Sequence, residues 1–523
     1  MSFEIRHTDL AGRIGRLQTT HGVLETPAFM PVVHPVRQSV STQFLKSLGF
    51  EGVITNAYIA LRHYGDDART RGIHDIINYD GVIMTDSGGY QVLEYGSVEI
   101  TAETMAKFEK DIKSDIAVPL DNPTGYGLDH EKAKASVELT LENARLTLEI
   151  AKKEKKADLN QTSLDSSTNS ASGTLWVGPV QGAEHFDLVE YSTNALSEMG
   201  FNLLALGSPV ELMKSYEFAI LAQMIVTAKK VAPSKPIHLF GAGHPLTIPL
   251  VIALGCDTFD SASYMLYAKD GRYMHPNGTA HVEELSYLSC QCPICSRTNA
   301  KELLGMDEQE RVVQIAKHNL YTLKAEVDAS KQAIMDGRLW EHLVQKARGH
   351  PKLLEAVELF NDFDILEAGT PFFKEKALFL NGSMDQYRPE AKRFKKISSE
   401  FKTAKKKLIL YPESHRHPFY STKIFDDIVE KFSYAQICSY NSFLGVIPAE
   451  ISDIFPAAHN VTSRIERHAR DYPTFIESLN RFLSNNNFEE IIVVADDFMH
   501  QVLEIANVNA RIVEYGDDAI SSL

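Results

Sequence analysis

Three of the chain's five cysteines fall within six positions, a density that indicates metal chemistry. Cys290, Cys292 and Cys295 form a CxCxxC pattern, which supplies three thiolate ligands where tetrahedral zinc needs four. His318 is the preferred fourth ligand, because a helix that follows a ligand loop can present a side chain back to it. Four protein ligands leave no open position for water, so the predicted zinc, one per chain, is structural. Other candidates for the fourth ligand are His281, His275 and Cys256.

A second set of residues could perform glycosyl chemistry. Asp86, Asp121 and Asp260 each follow an apolar run, in the stretches TDSGGYQ, PLDNPTGYG and CDTFDSASY. One carboxylate of a pair can attack an anomeric carbon while the other moves the proton of the leaving group. A single aspartate at a strand end is equally typical of a helix N-cap, whereas three together favour a site. No HxH follows FMPVV, which counts against a metal at the reaction centre.

Eight short apolar runs must position these residues. They alternate with stretches of helical periodicity such as TAETMAKFEKDIK, which indicates βαβ units and a parallel sheet. Eight units predict a (β/α)8 TIM barrel, whose active site lies at the C-terminal ends of the strands. That rim would place Ser87, Gln181 and Gly207 beside the aspartates. The runs are residues 28–33, 52–55, 81–85, 115–120, 174–180, 202–206, 236–240 and 256–259.

The rest of the chain predicts further α/β structure. The barrel would span residues 1–345 and include an inserted zinc-binding subdomain over 286–320. A helical connector over 346–385 would lead to a C-terminal α/β domain over 386–523, with KKLILYP, AQICSY and EEIIVVAD as strands. Residues 152–173 are charged and then rich in Ser, Thr and Asn, which is typical of a flexible surface insertion.

Composition indicates a soluble globular protein. The 523 residues exceed one ordinary core, and no run approaches the ~20 apolar residues of a membrane span. The N-terminus lacks the apolar segment of a signal peptide, so we expect a cytoplasmic protein without membrane contact. The net charge of −16 counts against nucleic acid as a partner, yet residues 391–407 carry eight Lys/Arg and one Glu. This basic stretch is either a solvated linker or helix face, or a phosphate-binding surface.

The motifs taken in order resemble those of tRNA-guanine transglycosylases. The resemblance rests on TDSGGYQ, VPLDNP, VQGAEH, LALGSPVE, the FD of CDTFDSASY, and CxCxxC followed by HNLY, and it covers residues 1 to about 345. The continuation GRLWEHLVQKARGHPKLLEA and the long C-terminal region resemble the archaeal branch. That branch exchanges guanine 15 in the D-arm of tRNA for 7-cyano-7-deazaguanine, an archaeosine precursor, so the resemblance implies tRNA and a 7-deazaguanine base as partners.

The resemblance also implies a role for each site residue. Asp260 matches the family nucleophile, Asp86 the general acid/base, and Asp121 the residue that binds the Watson–Crick edge of guanine. The reaction would be a double displacement through a covalent enzyme–ribosyl intermediate. The family commonly forms homodimers around the zinc region. The other matched base-pocket positions are Ser87, Gln181 and Gly207.

Two departures and two alternatives accompany this interpretation. No terminal PUA domain is recognisable, so tRNA docking is expected to draw on a separate PUA-type RNA-binding protein. Pro412-Glu413 and His417-Pro418-Phe419 replace the Pro-Cys and Lys-Pro-Tyr core of the related archaeosine synthase, which argues against amidine formation. The alternatives are a non-catalytic tRNA-binding paralogue, and a transglycosylase that acts at the anticodon wobble position with another deazaguanine.

Overall fold

The computed structural model describes residues 3–89, 100–161, 173–413, 418–463, 472–516 and 519–523. The chain divides into two compact units, one that extends to Val357 and one that spans Glu358–Leu523. Among the described residues, no helix combines the length and the apolar character that crossing a membrane requires.

Eight parallel strands close into a barrel in the first unit, so the predicted (β/α)8 fold is confirmed. Each of the eight predicted runs overlaps a barrel strand, and the last strand pairs with the first through Thr258 to Ser261. Alternate side chains such as Met30, Met84 and Val177 face inward and fill the interior with apolar groups. The strands are β4 (Ala28–Val33), β5 (Gly52–Asn56), β6 (Val82–Asp86), β7 (Ile116–Ala117), β8 (Leu175–Val180), β9 (Leu203–Leu206), β10 (Ile237–Leu239) and β11 (Thr258–Ser261).

An antiparallel sheet precedes the barrel and was not predicted. It consists of β1 (Phe3–Asp9), β2 (Gly12–Gln18) and β3 (Val23–Thr26), and its apolar side chains join the core of the barrel. Arg13 from β2 donates to Asp257, with 2.9 Å between Nε and Oδ1, and both side chains are buried. Since Asp257 directly precedes β11, this pair fixes the sheet to the end of the barrel that is opposite the predicted active-site rim.

Helices follow the barrel strands and surround them. The helix His130–Gln161 runs into the predicted insertion, so residues 152–161 are helical, while residues 162–172 lie outside the described part of the chain. A hairpin of β12 (Arg272–His275) and β13 (Gly278–His281) follows the barrel and leads to the cysteines. The helices up to residue 358 are Thr42–Ser47, Ala57–Tyr64, Asp66–Arg71, Ile73–Ile77, Ala102–Asp111, His130–Gln161, Phe186–Met199, Pro209–Lys214, Phe218–Val231, Thr247–Ala253, Ser263–Lys269, Ala300–Gly305, Glu308–Met335, Leu339–Ala347 and Pro351–Glu358.

The second unit contains a five-stranded sheet and two shorter strands, which confirms the predicted C-terminal α/β fold. The sheet is ordered β17-β16-β15-β19-β20, and only β17 is antiparallel to its neighbour. Leu408 and Leu410 face one apolar cluster while Ile409 and Tyr411 face another, so both faces of the sheet are covered. The strands are β14 (Leu378–Leu380), β15 (Lys407–Pro412), β16 (Gln436–Asn441), β17 (Gly445–Pro448), β18 (Asn460–Thr462), β19 (Glu490–Ala495) and β20 (Arg511–Glu514). The helices are Asp364–Gly369, Pro389–Ser399, Lys423–Phe432, Tyr472–Ser484, Asp497–Ala506 and Ala519–Ser522.

Candidate active site and metal centre

One cavity of about 970 Å³ opens among the C-terminal ends of the barrel strands. Asp86, Asp121, Asp260 and Gly207 all line it. Asp86 is the last residue of β6, Asp260 lies within β11, and the other two residues follow β7 and β9. The closed barrel therefore brings together residues that are up to 174 positions apart in the sequence.

Asp260 is held by a buried histidine that the sequence interpretation did not single out. His238 on β10 is fully buried, and its Nε2 lies 3.1 Å from Asp260 Oδ1. A carboxylate can only accept, so Nε2 donates to Asp260, and Nδ1 is hydrogen-bonded to Thr258 Oγ1 at 2.9 Å. The backbone N–H of Gly241 donates to the same Oδ1 at 3.2 Å. These two donors fix the orientation of the Asp260 carboxylate.

Asp86 is positioned by the neighbouring strand. Asn56, the last residue of β5, caps the helix Ala57–Tyr64 by accepting from the N–H of Ile59 at 2.8 Å. Its Nδ2 donates to Asp86 Oδ2 at 3.2 Å. Burial raises the pKa of Asp86 to about 6, the backbone N–H of Gly88 opposes this rise, and the nearby charge of Asp260 adds to it. Near neutral pH this carboxyl group can therefore both donate and accept a proton.

Asp121 is bound by Gln181 and closely enclosed by two glycines. Gln181 Nε2 donates to Asp121 Oδ2 at 2.8 Å. A Cβ at Gly207 would lie 2.3 Å from that Nε2, and a Cβ at Gly89 would lie 1.8 Å from Asp121 Oδ1, so neither position has room for a side chain. Burial, followed by the nearby charge of Asp86, raises the pKa of Asp121 to about 7.

Two more predicted residues support the site from behind the cavity surface. The Oε1 of Gln181 accepts from the backbone N–H of Thr124 at 3.0 Å and from Ser208 Oγ at 3.2 Å, which fixes which end of the amide faces Asp121. Ser87 is fully buried, and its Oγ donates to Pro119 O at 3.2 Å. Ser87 thus links the segment after β6 to the segment after β7.

The four predicted metal ligands come together away from this cavity. The ligand atoms of Cys290, Cys292, Cys295 and His318 all lie within 4.8 Å of one another. His318 Nδ1 is 3.5 Å from Cys292 Sγ and 3.3 Å from Cys295 Sγ. Ligands of a tetrahedral zinc with Zn–S and Zn–N bonds of ordinary length stand about 3.5 Å apart, so the donor set fits this metal.

The surroundings of His318 prepare its Nδ1 for a metal. Its Nε2 donates to the carbonyl of Met274 at 2.7 Å, which leaves the lone pair of Nδ1 directed at the thiols. The ring stacks on Tyr273 at 3.7 Å between centroids. A hydrogen bond from Cys295 holds the pKa of Cys292 below its usual range, which favours the thiolate form that a metal binds.

A second group with metal-ligand chemistry, His21, His74 and Asp115, lies at the opposite end of the barrel. Asp115 accepts from His21 Nδ1 at 2.9 Å, from His74 Nε2 at 3.1 Å, and from the backbone N–H groups of His21 and Ile83. Four donors already satisfy this carboxylate, and the hydrogen bonds hold the β2–β3 turn to the barrel.

The basic stretch 391–407 is largely engaged within its own unit. The guanidinium of Arg393 donates to the carbonyls of Glu367, Pro371 and Thr370. Lys405 donates to the carbonyl of Ala435 at 2.8 Å, and further lysines bind backbone carbonyls or glutamates. The exposed cations of the stretch are Lys396, Lys402 and Lys406.

The positions that match archaeosine synthase are partly described. Glu413 directly follows β15 and is half-buried, accepts from the side chains of Asn441 and Asn460, and has its pKa raised to about 7 by desolvation. His417 lies outside the described residues.

Comparison with known proteins identifies the family. The family model described as Queuine tRNA-ribosyltransferase matches residues 9–352, and a model described as a domain of unknown function matches residues 391–522. Proteins named tRNA-guanine(15) transglycosylase are similar over most of the chain. The one from Sulfolobus acidocaldarius is 38% identical over 94% of this chain and 95% of its own length. The one from Methanosarcina barkeri is 37% identical over 98% of both, and the one from Aeropyrum pernix is 43% identical over 70% of this chain and 69% of its own length. The chain therefore belongs to the tRNA-guanine transglycosylases, a family of pentosyltransferases, which confirms the resemblance found in its motifs.

Proposed function

We propose that this chain exchanges guanine at position 15 of tRNA for 7-cyano-7-deazaguanine, in the biosynthesis of archaeosine. The observation that carries the proposal is the convergence of Asp86, Asp121 and Asp260 on one cavity at the rim of the barrel. The names of the archaeal relatives, which specify guanine 15, support the choice of nucleotide. The reaction proceeds on a base that has been unstacked and drawn into the cavity.

The first half of the reaction forms a covalent ribosyl–enzyme. A carboxylate oxygen of Asp260 attacks C1′, the C1′–N9 bond breaks, and guanine leaves with its electron pair. The leaving guanine takes a proton from the carboxyl group of Asp86. With a pKa of about 6, roughly one Asp86 in ten carries that proton at pH 7 in the free protein.

The second half reverses these roles with the new base. The N9–H of the deazaguanine gives its proton to the Asp86 carboxylate, N9 attacks C1′, and the bond to Asp260 breaks. Two displacements at C1′ retain its configuration, and no nucleoside triphosphate is consumed. His238 and Gly241 support both halves, because they hold the carboxylate of Asp260 in one orientation.

Asp121 selects the base. Its carboxylate can accept from the N1–H and the exocyclic amine that guanine and 7-cyano-7-deazaguanine share. Gln181 occupies Oδ2 from the opposite side and thereby restricts how the base can approach. Ser87 and Gly207 complete the pocket that the family resemblance implies, one by tying its segments together and the other by leaving room for the amide of Gln181.

The zinc that we propose at the three cysteines and His318 is structural. It would fasten the segment after β13 to the helix Glu308–Met335, which carries His318. Tyr287, 87% exposed just before the cysteines, supports this region as the surface of a homodimer.

A separate PUA-type protein remains a proposed partner for tRNA docking, since few cations of residues 391–407 are exposed. A tRNA substrate also favours the cytoplasm as the place of action.

A covalent adduct provides the test. Protein mixed with tRNA and no free base should form an adduct that survives denaturation, and Asp260→Asn should abolish it because an amide is a poor nucleophile. Asp270→Asn is the matched control, since Asp270 lines the same cavity and pairs with Arg272. Mapping the site of radiolabelled guanine then distinguishes position 15 from the wobble position. An undiminished adduct in Asp260→Asn would refute the nucleophile, and wild-type protein that exchanged no guanine would indicate a non-catalytic paralogue.

A further inference from the structure

An aromatic cluster lines the same cavity as the three aspartates. Tyr216 and His350 stack with their ring centroids 4.6 Å apart and their planes 8° from parallel. Phe218 meets both rings edge-on, at 6.0 and 6.1 Å between centroids. All three residues line the cavity of about 970 Å³ that also contains Asp260. The chemistry described above requires none of these rings.

The backbone conformation at Tyr216 fixes the position of its side chain in the cavity wall. It lies between the helices Pro209–Lys214 and Phe218–Val231, which follow β9 on the active-site rim. Its φ of 58° is in the left-handed region, which a bulky side chain rarely adopts and which is concentrated at functional sites. The N–H groups of Tyr216 and Glu217 bind the carbonyls of Met213 and Leu212, which stabilises the turn. One face of the ring covers His350, and 52% of the side chain remains exposed.

The cavity is larger than a single base requires. Its volume lies near the upper end of the roughly 300–1,000 Å³ that is typical for drug-sized ligands, which are larger than a single purine. The ribose that carries the exchanged base remains part of an RNA strand, so the neighbouring nucleotides must pass close to the same rim. Proteins hold unstacked RNA bases mainly by stacking them on aromatic rings.

We propose that Tyr216, supported by His350, forms a subsite that stacks the base of a nucleotide adjacent to the exchanged guanosine. This inference rests on the proposed function for its ligand, an RNA strand with one base drawn into the cavity. Lys214, exposed on the same wall, would lie near the phosphate of that nucleotide. Stacking tolerates any base, so the subsite would hold the strand open without reading its sequence.

The test combines a substitution with an altered substrate. Tyr216→Ala should lower kcat/KM for tRNA by about 5- to 150-fold, the range found when a base–aromatic stack is removed, mainly through KM. Tyr216→Phe should retain wild-type values, because the ring and not the hydroxyl forms the stack. Two tRNA transcripts, one abasic at the nucleotide 5′ of the target and one abasic at the nucleotide 3′ of it, are compared with the intact transcript. With one of the two, kcat/KM of the wild-type protein should fall by a similar factor. On that transcript Tyr216→Ala should cause no further loss.

Controls separate this subsite from folding and from the reaction itself. Tyr191→Ala removes another partly exposed tyrosine, 43% accessible on the helix Phe186–Met199, and should leave kcat/KM unchanged. Equal losses in Tyr216→Ala and Tyr216→Phe, or losses that add to those of the abasic transcript, would overturn the proposal. Wild-type kinetics in Tyr216→Ala would overturn it too. Binding of the same transcripts, measured by fluorescence anisotropy, needs no turnover, so weaker binding in Tyr216→Ala would support the subsite even if no guanine were exchanged.

Discussion

Replacing Gly207 with alanine should disable the site without unfolding the barrel. The added Cβ would lie 2.3 Å from Gln181 Nε2, which donates to Asp121 at 2.8 Å. Gly207 has no positive φ, so alanine meets no backbone strain there, and the displaced group is the amide. The substitution therefore displaces the amide of Gln181 and breaks its hydrogen bond to Asp121.

The size of the effect follows from that hydrogen bond. A bond to a charged group contributes about 1.5–3 kcal/mol, which corresponds to a loss of about 10- to 150-fold in kcat/KM for the incoming base. Losing the donor also raises the pKa of Asp121 further above its value of about 7, since the bond favours the charged form. The pH at which the activity reaches half of its maximum on the acidic side should then move upward.

Exchange of radiolabelled guanine into tRNA, measured against pH, provides the assay. Gly305→Ala is the matched control, because a Cβ at Gly305 meets nothing within 4 Å and its φ is not positive. Gln181→Ala should cost about as much as Gly207→Ala, and the double variant should cost no more than Gln181→Ala alone, since both changes act through one bond. Unchanged kinetics in Gly207→Ala, or a double variant whose losses add, would refute this reasoning.

Three further predictions concern the metal, the pH profile and the basic stretch. Metal analysis should find about one zinc per chain, and Cys292→Ser should lower the yield of folded protein and the melting temperature, because metal binding is coupled to folding. The pH profile of kcat/KM should be bell-shaped with its maximum between about 6 and 7, since the proposed mechanism requires an ionised Asp121 and a protonated Asp86. Asp86→Asn should remove the alkaline limb. Replacing the three exposed lysines of 391–407 with Gln should flatten the slope of log affinity for tRNA against log salt concentration, by at most roughly 0.7–0.9 per lost phosphate contact. An unchanged slope would identify the stretch as a solvated face.

The barrel was predictable because its strands are almost entirely buried. Runs such as GVIMT and TLWVGPV are mostly apolar along their whole length. The distance between successive runs leaves room for the helix that follows each strand. The sheet β1–β3 gave no such signal, because the middle of FEIRHTD is exposed and polar. Strand ends of a closed parallel barrel converge, so polar residues that follow apolar runs could be assigned to one site before any distance was known.

The two site residues that were missed had ordinary explanations in the sequence. Asn56 ends GVITN and does cap the next helix, while its amide nitrogen also serves Asp86. His238 is the single polar residue in the apolar run PIHLF, and no motif around it indicates a function. A polar residue inside a buried barrel strand was the available signal, because burial requires it to find a hydrogen-bond partner on a neighbouring strand.

The three carboxylates are coupled through their charges, and in the mechanism proposed above this coupling lets the bound base favour protonation of its own general acid. The charge of Asp86 raises the pKa of Asp121, so an ionised Asp121 must likewise favour the protonated form of Asp86. A base that donates its N1–H and amine to Asp121 requires the ionised form of that carboxyl group. Near pH 7 some molecules carry a neutral Asp121, and binding of the base to them releases the proton of Asp121. By the same charge coupling, the new charge on Asp121 favours the protonated form of Asp86. The fraction of molecules with a protonated Asp86 is therefore larger when a base occupies the pocket than when the pocket is empty. The leaving group needs its proton in the occupied state.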